Sequence, residues 1–227
     1  MKNESSSLTK LLQAENIAEK LFQRIEQEKI IQSGKFESQI NEEIYSLAKS
    51  SFNIEKYWHK RIVRAGKNTL LPYDENPQDL MIQDNDVVFL DFGPILEEWE
   101  ADFGRTYVLG ENPKHHKICQ DVEIIWNEVS NWVINQSEVS CAQIYEFACE
   151  KSREFGWEFG GEIAGHLIGQ FPHERIEKGS VGLYIHPNNP LIWPSKNNLG
   201  ENRIWILEIH IVDRVDGFGA FYEQILR

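Results

Sequence analysis

The sequence has few cysteines, and none of them lies in the pairs that bind structural metals. Its 227 residues include three, Cys119, Cys141 and Cys149, and no C-x-x-C motif, so a thiolate zinc site is not expected. No motif accompanies any of the three thiols, which argues against a cysteine nucleophile. Three thiols at irregular spacing are typical of reduced cysteines in a cytosolic protein.

Long hydrophobic runs are also missing. No window approaches the roughly 18 consecutive apolar residues that a membrane-spanning helix requires. The segment from Met1 to Ser7 lacks the apolar core of a secretory signal peptide. The location expected from these two absences is the cytoplasm, without membrane contact.

Basic residues are in deficit. Lysine and arginine number 23 against 36 aspartate and glutamate residues, which gives a formal net charge of −13. A chain this acidic repels nucleic acid and anionic membranes, so neither is expected as a partner. The surplus of carboxylates has two interpretations: an ordinary solvated surface, or a local group of acids that holds cations.

The residues that are present fit one α+β domain with a sizeable core. Hydrophobic residues make up 41% of the chain, which argues against disorder, and no Pro-, Gly- or Ser-rich linker divides it. Apolar spacing predicts helices outside two small sheets that face each other. The predicted helices are 8–31, 37–50 and two within 114–155; the predicted strands lie within 57–70, 86–93, 104–110, 163–168, 182–185, 204–212 and 218–226.

A short sequence echo suggests an internal duplication. Gln39-Ile40-Asn41-Glu42 recurs as Gln143-Ile144-Tyr145-Glu146, with three identities in four positions, each on a predicted helix. The order of elements, helices followed by strands and then helices followed by strands again, agrees with a duplication. Two unrelated amphipathic helices explain the echo about as well.

Five polar residues interrupt the apolar strands. They are, in chain order, Asp91, Asp102, His166, Glu208 and Glu223. A carboxylate in a buried strand is costly unless a cation or several donors pair with it. One or two divalent metal ions would relieve the repulsion among four such acids. Each residue alone also fits a turn, an edge or an exposed face, so a metal site is indicated only by all five together.

The donor types restrict the metal. Oxygen ligands with one imidazole suit Mn²⁺, Fe²⁺, Co²⁺ or Zn²⁺ better than a thiolate set would. Four carboxylates are enough to bridge two ions and to leave a bridging water as the nucleophile. The sequence therefore predicts two divalent metal ions as cofactors.

The same five residues resemble a known family. Asp91, Asp102 eleven positions later, His166, Glu208 and Glu223 are similar in order and spacing to the metal ligands of the pita-bread metallohydrolases. That family includes methionine aminopeptidase, aminopeptidase P, prolidase and the metal-free creatinase. The resemblance implies an α+β pita-bread fold, with two pseudo-symmetric halves whose central antiparallel sheets are covered by helices. It covers residues 15–227 as a catalytic domain, and leaves 1–14 as an N-terminal tail or the start of a helix.

The resemblance also implies a role for each ligand. Asp91 would chelate one metal ion through both oxygens, and Asp102 and Glu223 would bridge two ions. His166 and Glu208 would each complete the shell of one ion. A bridging hydroxide would attack the scissile carbonyl, and Glu208 would also be the catalytic acid and base that moves the proton.

A second histidine points to one branch of the family. His173 lies seven positions after His166 and is followed by Glu174. This spacing is similar to the prolidase and aminopeptidase P branch, which implies that His173 is a catalytic residue near the substrate that stabilises the tetrahedral intermediate. The alternative is a loop histidine after Pro172.

The sequence departs from the family pattern before the first aspartate. Most of its peptidases carry a substrate-contacting histidine about 18 positions earlier, where this chain has Tyr73. A tyrosine can donate a hydrogen bond to substrate but does not become a cation near neutral pH. His59 is a substitute in principle, but 32 positions before Asp91 it is expected to pack in the interior or lie at the surface. Leu167 and Ile209 replace the glycine and proline that commonly follow two of the ligands.

The function that the resemblance implies is metal-dependent hydrolysis. We expect a dinuclear aminopeptidase or X-Pro-type dipeptidase that cleaves near the N-terminus of short peptides. The alternative is a non-peptidase member of the fold that acts on or binds a small amide or amino-acid metabolite. The chain resembles the minimal catalytic unit of methionine aminopeptidase in size, and homodimer formation is left open.

Overall fold

A computed structural model describes residues 4–173, 180–198 and 200–227 of the chain. Within these residues, four α-helices alternate with groups of short strands. The helices are α1 (Glu4–Gln27), α2 (Glu37–Phe52), α3 (Pro113–Ile134) and α4 (Cys141–Glu154), and a 3₁₀ turn covers Gly66–Leu70. The strands are β1 (Ile62–Ala65), β2 (Val87–Phe92), β3 (Ile95–Leu96), β4 (Trp99–Glu100), β5 (Phe103–Val108), β6 (Val139–Ser140), β7 (Glu158–Phe159), β8 (Leu167–Ile168), β9 (Ile192–Trp193), β10 (Ile204–Asp213) and β11 (Phe218–Ile225).

Local sequence determines where the helices begin and end. Asn112 caps α3, because its side chain accepts a hydrogen bond from Lys114 N, and Pro113 occupies the first helical turn. Helix α1 ends at Gln27, earlier than the apolar pattern to residue 31 predicts, because Lys29 takes a φ of 51° and turns the chain. No helix in the described part of the chain is long and apolar enough to span a membrane.

One antiparallel sheet forms the centre of the molecule. Its strand order is β1-β2-β5-β11-β10-β7, and β8 pairs with β10 outside this path. The pairs β3–β4 and β6–β9 form separate two-stranded sheets. The main sheet replaces the two small facing sheets expected from the sequence, because β11 pairs with β5 on one side and with β10 on the other.

The helices cover one face of the main sheet. Val88 and Leu90 of β2 belong to the hydrophobic cluster that includes α1 and α2, and Leu207 and Ile209 of β10 belong to the cluster that includes α3 and α4. Successive side chains of a strand point to opposite faces. The acids of β2, β10 and β11 lie at the alternate positions and therefore on the opposite face, which α1 covers in part.

The sequence echo corresponds to equivalent positions in two halves of the fold. Gln39 and Gln143 are each the third residue of a helix. Gln39 Oε1 accepts a hydrogen bond from Phe36 N at 2.8 Å, and Gln143 Oε1 accepts one from Ser140 N at 2.9 Å. In both helices the glutamine therefore satisfies a backbone donor just before the first turn, as in a capping box.

The two halves meet between β5 and β11. Among the described residues, this pair of strands has a single register pair, Glu223 with Gly104, whereas β2 and β5 have six. Along the rest of the two strands, side chains of β5 make hydrogen bonds to the backbone of β11. Thr106 Oγ1 accepts from Phe221 N at 2.7 Å, and Arg105 Nη1 donates to Glu223 O at 2.8 Å. The seam between the halves therefore depends on side-chain hydrogen bonds as well as on the backbone ladder.

Candidate metal centre

The sheet register places three acidic residues in one row, on β2, β11 and β10. Asp91 of β2 is opposite Gly104 of β5, Gly104 is opposite Glu223 of β11, and Glu223 is opposite Glu208 of β10. Asp102 lies two residues before Gly104, directly ahead of β5. Like charges directly opposite each other destabilise a sheet unless a proton or a cation separates them. A positive charge near this row would therefore stabilise it.

His166 reaches this row from a short segment held against β10. Ile206 N donates to His166 O at 2.8 Å. The preceding Gly165 has a φ of +143°, and a Cβ at that position would lie 2.0 Å from Ile206 O. Only glycine fits this close approach, so the sequence immediately before His166 fixes where the ring enters the centre.

The His166 ring contacts two acids. Its Nε2 is 3.1 Å from Asp102 Oδ2 and 3.7 Å from Glu223 Oε1, while Nδ1 is 2.9 Å from Leu167 O. Burial alone would lower the pKa of His166, but the hydrogen bonds to Asp102 and Glu223 outweigh it and raise the pKa well above its usual value. Without a metal ion, the two acids therefore favour the protonated form of the His166 ring.

His59 occupies the other side of Asp102. Its Nε2 is 3.0 Å from Asp102 Oδ1 and 3.5 Å from Asp91 Oδ1, and 7% of its side chain is exposed. The burial agrees with the interior packing that the sequence analysis gave as one alternative for His59, but contact with two of the predicted ligands was not expected. The information missing from the sequence was the pairing of Ile62 with Asp91, which brings the residues before β1 alongside the end of β2.

Burial sets the protonation of the acids. It raises the pKa of Asp91 to about 6 and that of Glu208 to about 7, and it raises the pKa of Glu223 strongly. Burial also disfavours the Asp102 anion, but the positive charge of His59 and the hydrogen bonds from His166 and His59 outweigh it and lower the pKa of Asp102 to about 2. Asp102 is thus the permanent anion at the middle of the group.

The residues present fit divalent metal ions. Two sets of three residues could each hold an ion, because within each set the donor atoms lie within 4.8 Å of one another. The sets are His59 with Asp91 and Asp102, and Asp102 with His166 and Glu223. Glu223 Oε2 is buried and has no hydrogen-bond partner among the described residues. Carboxylate and imidazole donors suit transition-metal ions, and an unpaired buried carboxylate oxygen is costly without one. Glu208 lies opposite Glu223 in the register but belongs to neither set.

His173 lies beside the centre and is held by a glutamate that the sequence reasoning missed. The Nδ1 atom of His173 is 2.7 Å from Glu100 Oε2, and the backbone N of His173 donates to Glu100 Oε1 at 3.2 Å. The Glu100 carboxylate is fully buried and also accepts from Gly169 N at 3.1 Å. Glu100 precedes Asp102 by two positions, and that proximity in sequence was the available signal. Glu174, which follows His173 in the family motif, lies outside the described residues.

Trp58 is a second residue that the sequence did not indicate. Its ring centroid is 4.4 Å from that of His59, 5.3 Å from that of His166 and 5.4 Å from that of His173, with edge-to-face geometry in each case. Its Nε1 donates to Ala101 O at 3.0 Å. One indole therefore contacts all three imidazoles and fixes their spacing.

Tyr73 lies at the margin of the group. It is 46% exposed, its ring centroid is 5.8 Å from that of His59, and its hydroxyl accepts a hydrogen bond from Lys60 N at 3.4 Å. Arg64 holds the loop that carries it, with guanidinium donors at 2.7 Å from Pro72 O and 2.9 Å from Glu75 O. The structure thus places Tyr73 next to His59 and does not bring it into contact with the acids.

The fold and the centre together define the class of the protein: an α+β pita-bread fold whose sheet carries a cluster of acids and imidazoles. The chain belongs to metallopeptidase family M24, whose model matches residues 9–227. Membership implies divalent metal ions, and the two sets of donor atoms offer ligands for them. No curated protein sequence matches the chain significantly.

Solved structures agree with this assignment. An X-Pro aminopeptidase from Thermotoga maritima MSB8 is 26% identical with a TM-score of 0.75, over 97% of this chain and 58% of that one. A dipeptidase from Pyrococcus horikoshii OT3 is 24% identical with a TM-score of 0.76, over 99% and 57%. A prolidase from Thermococcus sibiricus is 22% identical with a TM-score of 0.73, over 97% and 56%. The chain thus spans between 56% and 58% of the length of these proteins.

Proposed function

We propose that the chain is a dinuclear metal-dependent peptidase, an aminopeptidase or X-Pro-type dipeptidase that cleaves close to the N-terminus of short peptides. The observation that carries the proposal is the shared position of Asp102, which belongs to both sets of donor atoms. Family membership and the X-Pro aminopeptidase among the similar structures support peptides as the substrate class. The proposed catalytic unit is residues 15–227, and the free cysteines support a cytoplasmic setting.

The five predicted ligands would hold the ions. Asp91 would bind one ion, Asp102 and Glu223 would be shared, and His166 and Glu208 would complete the set. Bound divalent ions polarise a carbonyl and lower the pKa of a coordinated water, which is the chemistry that hydrolysis of an amide requires. The metal candidates remain Mn²⁺, Co²⁺, Fe²⁺ and Zn²⁺.

Glu208 is proposed to move the proton. Its carboxyl lies opposite Glu223 on the face that carries the acids, and burial raises its pKa to about 7. That pKa describes the metal-free protein, and a bound cation would lower it, so the role rests on the position of the carboxylate, which could accept a proton from the attacking water and deliver it to the departing amine nitrogen. Glu208 would therefore serve as both ligand and acid–base group.

His173 is proposed to bind the substrate carbonyl oxygen as negative charge develops on it. Its Nδ1 donates to Glu100 at 2.7 Å, so Nε2 would donate to that oxygen when the ring is in the imidazolium form, in which both nitrogens carry a proton. A fixed donor of this kind needs no reorganisation during the reaction. Tyr73, exposed beside His59, is proposed to contact the substrate from the open margin of the group.

A substrate panel tests the proposal. The chain loaded with Mn²⁺ or Co²⁺ is assayed on X-Pro dipeptides and on Met-Ala-type peptides, with Glu208→Gln as the inactive control. The spacing of His166 and His173 predicts preference for the X-Pro panel. Turnover of the Met-Ala panel alone would move the chain to the methionine aminopeptidase branch. No turnover of either panel would contradict peptidase activity and support the small-amide alternative.

A further inference from the structure

We infer that His59 is a metal ligand, grouped with Asp91 and Asp102, so that each of two ions in the centre has one imidazole. The inference rests on the metal centre of the proposed function and adds a ligand to it. The five ligands that the family resemblance implies include only one histidine, His166. The inference does not depend on which bond the protein cleaves.

His59 and His166 are held in the same way on opposite sides of Asp102. Each ring places Nδ1 against the carbonyl oxygen of the next residue, at 2.7 Å from Lys60 O and 2.9 Å from Leu167 O. Each ring faces Asp102 through Nε2, His59 at 3.0 Å from Oδ1 and His166 at 3.1 Å from Oδ2. A ring whose Nδ1–H donates to a carbonyl presents its Nε2 lone pair, which is the usual arrangement of metal-binding histidines.

The three donor atoms around His59 are spaced for one ion. His59 Nε2 is 3.0 Å from Asp102 Oδ1 and 3.5 Å from Asp91 Oδ1, and one donor atom from each of the three residues lies within 4.8 Å of the other two. Donors bound at about 2.1 Å to a common transition-metal ion are roughly 3 Å apart. The observed spacing therefore requires little movement of the ring or of the carboxylates.

The backbone around His59 makes room for the ring at this position. Gly93 directly follows β2, and a Cβ there would lie 2.2 Å from His59 Cδ2 and 2.3 Å from its Nε2. Any other residue at 93 would displace the ring from Asp91 and Asp102. The glycine is thus a local adaptation that places an imidazole beside the acids.

The two histidines also have comparable places in the two halves of the fold. His59 follows Gln39 by 59 − 39 = 20 positions, and His166 follows Gln143 by 166 − 143 = 23 positions. Both glutamines are third residues of their helices. A pseudo-symmetric centre with one histidine from each half agrees with the shared position of Asp102 between them.

An added imidazole changes which metal the centre prefers. Without His59, the Asp91 side of the centre has only carboxylate donors, which suit Mn²⁺ and Mg²⁺. With His59, each ion has one nitrogen donor, which favours Zn²⁺, Co²⁺ or Fe²⁺. The centre is therefore expected to bind a pair of transition-metal ions that accept nitrogen donors.

X-ray absorption on the zinc-loaded wild-type protein tests the inference directly. We expect an average of one imidazole per zinc ion at two ions per chain. An average of half an imidazole per ion would overturn it, because His166 alone then supplies nitrogen. Nitrogen-15 spectra of histidine-labelled protein provide the second reading: Zn²⁺ should shift two ring Nε2 signals, and a shift of one signal would count against the inference.

Two variants of His59 and one control measure how much His59 contributes to zinc affinity. His59→Gln and His59→Ala should each raise the dissociation constant for Zn²⁺ at one site by at least roughly tenfold, the lower bound for loss of an outer-shell partner. His116→Gln, on an exposed histidine outside the cluster, should leave both constants unchanged. Unchanged zinc binding in both His59 variants would overturn the inference.

The outcomes separate this inference from the proposed function. Two bound ions with a single imidazole and peptide turnover would leave the function intact and remove His59 as a ligand. One imidazole per ion without turnover on any peptide would support the inference and contradict the peptidase. Failure to bind Zn²⁺ or Co²⁺ at all would contradict both.

Discussion

Asp102 is the residue that both sets of donor atoms share, because its two oxygens face different imidazoles. We expect Asp102→Ala to remove metal from both sites, whereas loss of a ligand specific to one ion would remove one. Metal content after loading and desalting measures this. Asp84→Ala, on an exposed turn, is the matched control. Retention of two ions in Asp102→Ala would exclude a bridging role.

Glu100 is a positioning residue, since it touches His173 and the backbone and has no contact with the acids among the described residues. Glu100→Gln should lower kcat about 10- to 100-fold, the range for an outer-shell partner, and should leave metal content unchanged. Glu97→Gln, with a side chain that is 90% exposed, is the control. Loss of metal in Glu100→Gln, or an unchanged kcat, would contradict the assignment.

Protonation of the imidazoles opposes metal binding. Burial lowers the pKa of His59, but the charges of Asp102 and Asp91 outweigh it and raise the pKa to about 9. At pH 7 the metal-free protein therefore holds a proton on His59, and binding must release it. Apparent metal affinity should rise with pH from about 6 to 9. Calorimetry in buffers of different ionisation enthalpy measures the protons, and no release would contradict the prediction.

The same pKa fixes the sign of the pH effect on stability. The folded-state pKa of His59 lies above the unfolded value of about 6.5, so the folded metal-free protein binds the proton more tightly. The stabilisation is complete below pH 6.5 and is lost as pH rises through about 9. Metal-free protein should thus unfold more readily at pH 9 than at pH 6.

At the scale of elements, the segment that carries His166 depends on one glycine. A Cβ on Gly165 would lie 2.0 Å from Ile206 O, so Gly165→Ala should push the segment off β10 and cost roughly 3 kcal/mol or more. Gly156→Ala is a matched control, because its φ of +87° carries similar strain but nothing lies within 4 Å. It should cost only about 1–2 kcal/mol, the strain of a side chain in the left-handed region. Denaturant unfolding measures the loss of unfolding free energy in each variant, and equal losses in the two variants would contradict a steric clash at Gly165.

The elements also show what the sequence determines by itself. The long strands β2, β10 and β11 were predictable, because alternation and flanking turns mark them locally. The position of His166 could be expected because its motif is local too. His59 could not, because its place depends on the register of β1 with β2, which brings Ile62 opposite Asp91. The single main sheet was missed for the same reason, since β11 pairs with strands from both halves.

At the scale of the whole molecule, metal binding should add to the stability of a fold that is already complete. Each half has its own buried hydrophobic cluster, so we expect the metal-free chain to fold. Metal at 100 times its dissociation constant adds about 2.7 kcal/mol per independent site. For a chain of this size that is a rise in Tm of roughly 5–10 °C. Differential scanning calorimetry with Co²⁺ measures it, and no shift would contradict a metal centre.

The seam between β5 and β11 has a mechanical consequence. Asp91 and Asp102 belong to one side of it, and Glu223 and Glu208 belong to the other. Strands β5 and β11 pair at the single described position of Gly104 and Glu223, and further backbone hydrogen bonds join the two sides between β4 and the segment after β8. A relative displacement of the halves therefore changes the spacing between these acids. An ion bound to residues of both sides would act as a cross-link between the halves and would resist that displacement.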